Sequence, residues 1–228
     1  MIGSPHVHHR ITDSTNARAR ELAAAGAPHG TLVTADEQTA GRGRQGRAWT
    51  APAGEALLLS VIVRGIGPGT ALLPLGAAVA VCEALAPAEA AIKWPNDVWI
   101  ERRKVAGILL EGRPQEGWAV VGIGLNVRTR EFPEELSGIA TSLALQGSEM
   151  SVSDALAALL PELDRWLGAA PADVLSVWRS RDALLGSRVA WATGEGEAAG
   201  IADSGALIVE TDTGERVELD AGEVHLRR

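Results

Sequence analysis

The chain has 228 residues, 46% hydrophobic and 22% charged, with a formal net charge of −8 and a pI near 5.2. Such a chain has room for one sizeable α/β domain and a small companion, and its acidity argues against broad electrostatic binding to nucleic acid. One cysteine, Cys82, excludes an internal disulfide and fits a reducing compartment, so the cytoplasm is the expected address.

Residues 1–10 contain no apolar core of signal-peptide length. His6-Val7-His8-His9-Arg10-Ile11 reads as a solvent-facing edge strand. His6 and His8 share a face there, but no third metal ligand of suitable type lies near in sequence. Asp13-Ser14-Thr15-Asn16 then precedes an Ala/Arg/Glu/Leu-rich run, residues 17–25, which stops at Gly26. That pattern predicts a helix with a capping cluster in front and a glycine behind. Ser14, Thr15 and Asn16 serve equally well as caps or as the polar end of a pocket.

Residues 31–35 read as a strand, and 56–63, apolar on both faces, as a central strand. The uncharged stretch 65–82 approaches membrane-spanning length, but Pro68, Pro74 and its glycines make it a poor membrane helix. Residues 71–85 are better read as a buried helix with Pro74 in its first turn. Strands follow at 91–94, 98–100, 105–110 and 118–127, the third of them after the charged turn Glu101-Arg102-Arg103. Residues 152–167 predict an amphipathic helix capped near Ser151 or Ser153 and bent at Pro161. A further helix, 172–185, carries Trp178 on its apolar side. At Gly186 the texture changes to five short strand-like runs with turns at Asp203-Ser204-Gly205 and Thr213-Gly214. This predicts two domains: a larger α/β domain over 1–185, and a small SH3-like β barrel over 186–228.

The most unusual stretch is Gly41-Arg42-Gly43-Arg44-Gln45-Gly46-Arg47-Ala48-Trp49. Its glycines make it a poor helix or strand, while interleaved arginines supply planar forks for phosphate or carboxylate. It spells G-x-G-x-x-G, yet no helix opens at its third glycine, so the dinucleotide fingerprint fails on context. Lys93-Trp94-Pro95-Asn96-Asp97 ends an apolar strand on a polar turn. A second lysine, Lys104, heads the apolar run 105–110, where a core-facing ammonium would need a partner. Asn126 closes a glycine-bearing strand. With the loop, these give five Arg or Lys heads and several amides able to converge on an anion, a phosphate best of all.

Together, Ser14-Thr15-Asn16, the loop 41–49, the box 93–97, Lys104-x-x-Gly107-Ile108-Leu109 and Gly124-Leu125-Asn126 resemble biotin protein ligases in order and spacing, over residues 14 to 226. The resemblance implies a mixed sheet flanked by helices, similar to class II aminoacyl-tRNA synthetase cores, followed by the small β domain. It implies that biotin and ATP, with Mg²⁺, are converted to biotinyl-5′-AMP, and that biotin then passes to one lysine of a biotin carboxyl carrier domain.

Carried over by matching position, Ser14, Thr15, Asn16, Gln38, Gly41, Arg42 and Gly107 would face biotin. Arg44 and Lys104 would contact both biotin and nucleotide, while Arg47, Trp49, Lys93, Asn96 and Asn126 would serve the nucleotide. Lys104, Arg44 and Lys93 are the expected catalytic cations. The metal ligands are not specified. Larger family members carry an N-terminal helix-turn-helix domain, whereas 13 residues precede the Ser-Thr-Asn motif here, so DNA is not an expected partner, and with 65–82 a poor membrane helix neither is a membrane. Oligomeric state stays open, a homodimer included. The rival readings are a lipoate ligase of the same fold, which the arginine loop opposes, and a nucleotide- or biotin-binding module without turnover.

Overall fold

A computed structural model describes residues 1–220, 222 and 224–226, with only the backbone at Pro68 and Gly69. Its centre is a seven-stranded sheet of order β1-β2-β3-β7-β6-β5-β4. The strands are β1 (His6–Thr12), β2 (Leu32–Gln38), β3 (Ala56–Arg64), β4 (Ala90–Lys93), β5 (Asp97–Ile100), β6 (Arg103–Arg113) and β7 (Trp118–Asn126). β1 and β2 run parallel, and every other neighbouring pair is antiparallel. As expected, β1 is an edge strand. His6 and His8 share a face and meet Thr34 Oγ1 at 2.8 and 2.9 Å, and the described residues contain no cluster of three metal-ligating side chains.

The two faces of the sheet are covered differently. On one lies α1 (Thr15–Ala24), whose Ala19 and Ala23 pack on Val33, Ile62, Trp118 and Val120. On the other lies α2 (Leu73–Ala84), buried continuously from Leu75 to Cys82. A helix apolar all round must be covered on every side. The sheet covers one side of α2, and α3 (Val152–Trp166) and α4 (Pro171–Ser180) cover the rest. Gly76 permits the close approach, since a Cβ there would lie 2.8 Å from the Trp166 carbonyl. The α3 cap is a reciprocal box between Ser151 and Asp154, and the helix continues through Pro161.

One helix differs from its sequence pattern. Residues 181–185 have good helical propensity, yet α4 stops at Ser180. The backbone there instead extends the sheet edge: Ile92 N–H donates to Arg181 O at 2.7 Å and Ala183 N–H to Ile92 O at 3.0 Å. Satisfying the outer edge of buried β4 outweighs a further turn of helix.

The C-terminal part is a five-stranded antiparallel sheet of order β11-β10-β9-β8-β12, comprising β8 (Arg188–Trp191), β9 (Gly194–Ile201), β10 (Leu207–Glu210), β11 (Arg216–Leu219) and β12 (His225–Leu226). It shares its core with the larger sheet, through Val189, Ile201, Leu207, Val209 and Val224. Trp94 Nε1 reaches across to Gly205 O at 3.0 Å. No helix among the described residues is long and apolar enough to cross a membrane.

Candidate active site

The site lies on the α1 face of the sheet, beyond the N-terminus of that helix. Register decides its shape. Ser60, Gly122 and Leu109 form one cross-strand row over β3, β7 and β6, and Leu58, Gly124 and Gly107 form the next. Residues two apart on a strand share a face, so three glycines open a Cβ-free floor. Two side chains already lie on it. A Cβ at Gly122 would come 2.0 Å from Asn16 Oδ1, and one at Gly124 would come 2.3 Å from the Trp49 indole. Gly122→Ala should therefore displace Asn16 and weaken ligand binding at this end about tenfold or more, the order expected for a lost buried contact. Calorimetric titration with biotin checks this; unchanged affinity would remove Asn16 from the site.

Around Asn16 the polar end is closely knit. Ser14 precedes α1 but makes no side-chain cap. Gln38 Oε1 accepts from Thr15 N at 2.7 Å and from Thr15 Oγ1 at 3.1 Å. The Ser60 hydroxyl lies 2.8 Å from Thr15 Oγ1 and 2.5 Å from Asn16 Oδ1. Thr15, Asn16 and Ser60 are buried, as is Ser14 beside them, and buried polar side chains such as the first three need such partners. Gly41 seals the corner: a Cβ there would meet the Trp49 carbonyl and the Gln38 amide.

The glycine-arginine segment forms a small hairpin. Arg42 pairs with Ala48, Gly43 N–H donates to Arg47 O at 2.7 Å, and Trp49 N–H donates to Gly41 O at 2.9 Å. Positive φ at Gln45 (55°) and Gly46 (75°) turns the tip, a conformation glycine adopts without steric cost. The hairpin lays the Trp49 ring over Gly107 and Gly124, with Lys104 Nζ 5.5 Å from the ring centroid. Trp49 Nε1 is buried there without a hydrogen-bond partner.

Beside this floor the cations gather around one carboxylate. Lys104 Nζ is 2.7 Å from Asp97 Oδ1. Lys93 lies directly across from Asp97 in the β4–β5 hairpin, with its Nζ 5.4 Å from the Trp99 ring. Burial holds the Lys93 ammonium below its ordinary pKa; Asp97 opposes this, while Lys104 and Arg47 reinforce it. The Arg44 guanidinium is lowered for the same first reason, with Asp97 opposing and Arg47 adding. Arg44 reaches Asn96 Oδ1 at 3.4 Å and the Gly222 carbonyl at 3.3 Å. Asn96 is pinned in turn to β6, its Nδ2 donating to Ile108 O at 2.9 Å. These cations sit close together in partly desolvated surroundings, and an incoming anion would relieve their mutual repulsion.

Most residues singled out from sequence thus converge. Asn126 follows Gly122 and Gly124 on the same face of β7, and its Nδ2 donates to Thr141 O at 3.0 Å, tying down the segment after the strand. Three participants were missed. Ser60 had a signal, a lone hydroxyl inside an apolar strand that needs a partner. Asp97 read as a turn residue. Glu111, which meets Asn16, Arg20 and Arg42, follows the apolar run 105–110 and carries no distinguishing local signal.

A mixed sheet whose glycine floor is roofed by a basic hairpin and flanked by half-buried cations forms a site suited to an anionic ligand. Residues 8–127 match the model of the Biotin/lipoate A/B protein ligase family, and residues 184–227 that of the Biotin protein ligase C terminal domain. The chain is 39% identical to the Biotin--[acetyl-CoA-carboxylase] ligase of Mycobacterium tuberculosis, over 95% of this chain and 87% of that protein. It is 37% identical to the Bifunctional ligase/repressor BirA of Bacillus subtilis, over 94% of this chain and 72% of that one. Among solved structures it resembles the biotin protein ligase from Aquifex aeolicus in complex with biotin and ATP, with 31% identity, a TM-score of 0.84 and 99% of each chain covered. The chain belongs to the biotin protein ligase family.

Proposed function

We propose that this chain joins biotin to ATP, forming biotinyl-5′-AMP and releasing pyrophosphate, and then transfers the biotinyl group to one lysine of a biotin carboxyl carrier domain. The observation that carries this reading is the juxtaposition of the cation cluster at Lys93, Lys104 and Arg44 with the Cβ-free floor. In the first step biotin's carboxylate oxygen attacks the α-phosphorus and pyrophosphate departs. Both partners are anionic, so fixed cations between them lower the barrier by cancelling charge that would otherwise repel. Lys104 suits that position, since its ammonium stands at the edge of the floor. Arg44 and Lys93 suit the phosphates. Thr15, Asn16 and Gln38 suit the ureido ring, and the two substrates held side by side react as one unit.

Among the described residues no three His, Cys, Asp or Glu side chains form a metal cage. That fits Mg²⁺ entering with the nucleotide, the phosphates supplying most of its ligands and Asp97 available to add one. When bound, the ion would neutralise charge on the departing pyrophosphate.

In the second step the carrier lysine's amine attacks the mixed anhydride at its carbonyl carbon, and AMP leaves. Until then water must be kept away. The Arg42–Ala48 hairpin with Trp49 is placed to cover the intermediate. We assign the chemistry to residues 1–185, with residues 186–228 supporting the hairpin through the Arg44–Gly222 contact. Pyrophosphate release on mixing the protein with biotin and Mg-ATP tests the reading. Release with biotin but not with lipoate is expected; release with lipoate alone would favour the lipoate ligase, and none with either would favour a binding module.

A further inference from the structure

Glu111 lies one row beyond the floor: it pairs with Val120, just past the pairs Leu109–Gly122 and Gly107–Gly124. Its carboxylate gathers donors from two separate elements. Asn16 Nδ2, on α1, donates to Oε2 at 2.8 Å. Arg20, also on α1, and Arg42, in the basic hairpin, place guanidinium nitrogens 3.3 and 3.5 Å from Oε1. Its side chain is 22% exposed, so these contacts are only partly screened.

We propose that Glu111 is a positioning residue for biotin, latching the stem of the basic hairpin through Arg42 and fixing the amide of Asn16. This rests on the assignment of the Asn16 end to biotin's polar ring. The argument is one of donor and acceptor chemistry. An ionised carboxylate only accepts, so Asn16 must turn its NH₂ toward Glu111. Its oxygen then faces Ser60 and the Gly122 floor, oriented as an acceptor for ligand N–H groups. The other acceptor for that nitrogen, the Leu109 carbonyl, lies at 3.5 Å, so the carboxylate at 2.8 Å is the stronger of the two groups that favour this orientation over the flipped one. The same carboxylate neutralises Arg42, the first arginine of the hairpin, and Arg20 beside it. Losing it sets two guanidinium groups against each other where the hairpin leaves the sheet. A run of contacts thus joins Arg42 to Glu111, Asn16, Ser60, Thr15 and Gln38, so that the ring end of the pocket and the stem of its cover are set together.

Glu111→Gln keeps the shape and removes the charge. By titration calorimetry, its biotin Kd should rise about tenfold or more, the change expected when a charge-assisted contact is lost. ATP affinity measured separately should change less than about twofold, because Arg44 keeps its own partners Asn96 and Gly222. A residue that merely steadied α1 would not separate the two ligands. Arg42→Gln should also weaken biotin binding, and the double variant should be no more than about twofold worse than the poorer single one, since both break one contact. Biotin affinity of Glu111→Gln within about twofold of the parent, or losses that simply multiply, would overturn the proposal. If Glu111→Gln does not fold, Arg42→Gln carries the test, and unchanged biotin affinity there overturns it. A parent protein that itself fails to bind biotin would instead refute the site assignment on which the proposal stands.

Discussion

Lys104→Ala should fold like the parent and form biotinyl-adenylate at least about tenfold more slowly in a single turnover. The size follows from one charged hydrogen bond, worth about 1.5–3 kcal/mol, and grows if the contact is made mainly in the transition state. Folding should survive because the ammonium is one-third exposed, with 32% of the side chain accessible. Asp97, its partner, also keeps Lys93 opposite it in the hairpin. Quenched-flow measurement of adenylate, with a melting curve as control, reads both quantities. A folded variant reacting within about twofold of the parent would remove Lys104 from the chemistry.

Arg44→Gly should loosen the cover as well as remove a cation from the phosphates. It deletes the guanidinium that bridges Asn96 to the Gly222 carbonyl and adds a glycine to a hairpin that already turns at Gly46. Ordering that hairpin over the intermediate then costs more backbone entropy, and about 1.5–3 kcal/mol of charged contact is gone. Adenylate should escape roughly tenfold faster or more. A released acyl-adenylate acylates any accessible amine, so this variant should biotinylate bystander proteins while the parent labels its carrier alone. Blotting a mixture of carrier and bystander with streptavidin tests it. A variant that still makes adenylate yet labels bystanders no more than the parent does would show that Arg44 does not retain the intermediate.

What the sequence makes legible is what local chemistry forces. Glycines interleaved with arginines, lysines ending apolar strands, and a small-polar triplet ahead of a helix are each expensive unless a partner exists, and they stand out for that reason. Their convergence at one floor is set by strand register, which places Gly107 opposite Gly124 and Ser60 opposite Gly122; no single stretch displays that. Glu111 shows the limit well. At the end of β6 it looks solvated, and only the fold brings α1 and the hairpin to it. The end of α4 shows the converse. Residues 181–185 look helical, but the unsatisfied edge of β4 claims their backbone. Trp49 lies between the two cases: its place at the end of the basic segment is legible in the chain, while its seat on two glycines is a property of the sheet.

The central claim is transfer of biotin to a carrier lysine through an adenylate held on the glycine floor. Intact-mass spectrometry of a purified biotin carboxyl carrier domain, after incubation with this protein, biotin and Mg-ATP, tests it most directly. The account predicts a mass increase of one biotinyl group, mapped to a single lysine and dependent on both biotin and ATP. An unmodified carrier under conditions where the protein binds biotin and ATP, or the same modification without ATP, would contradict it.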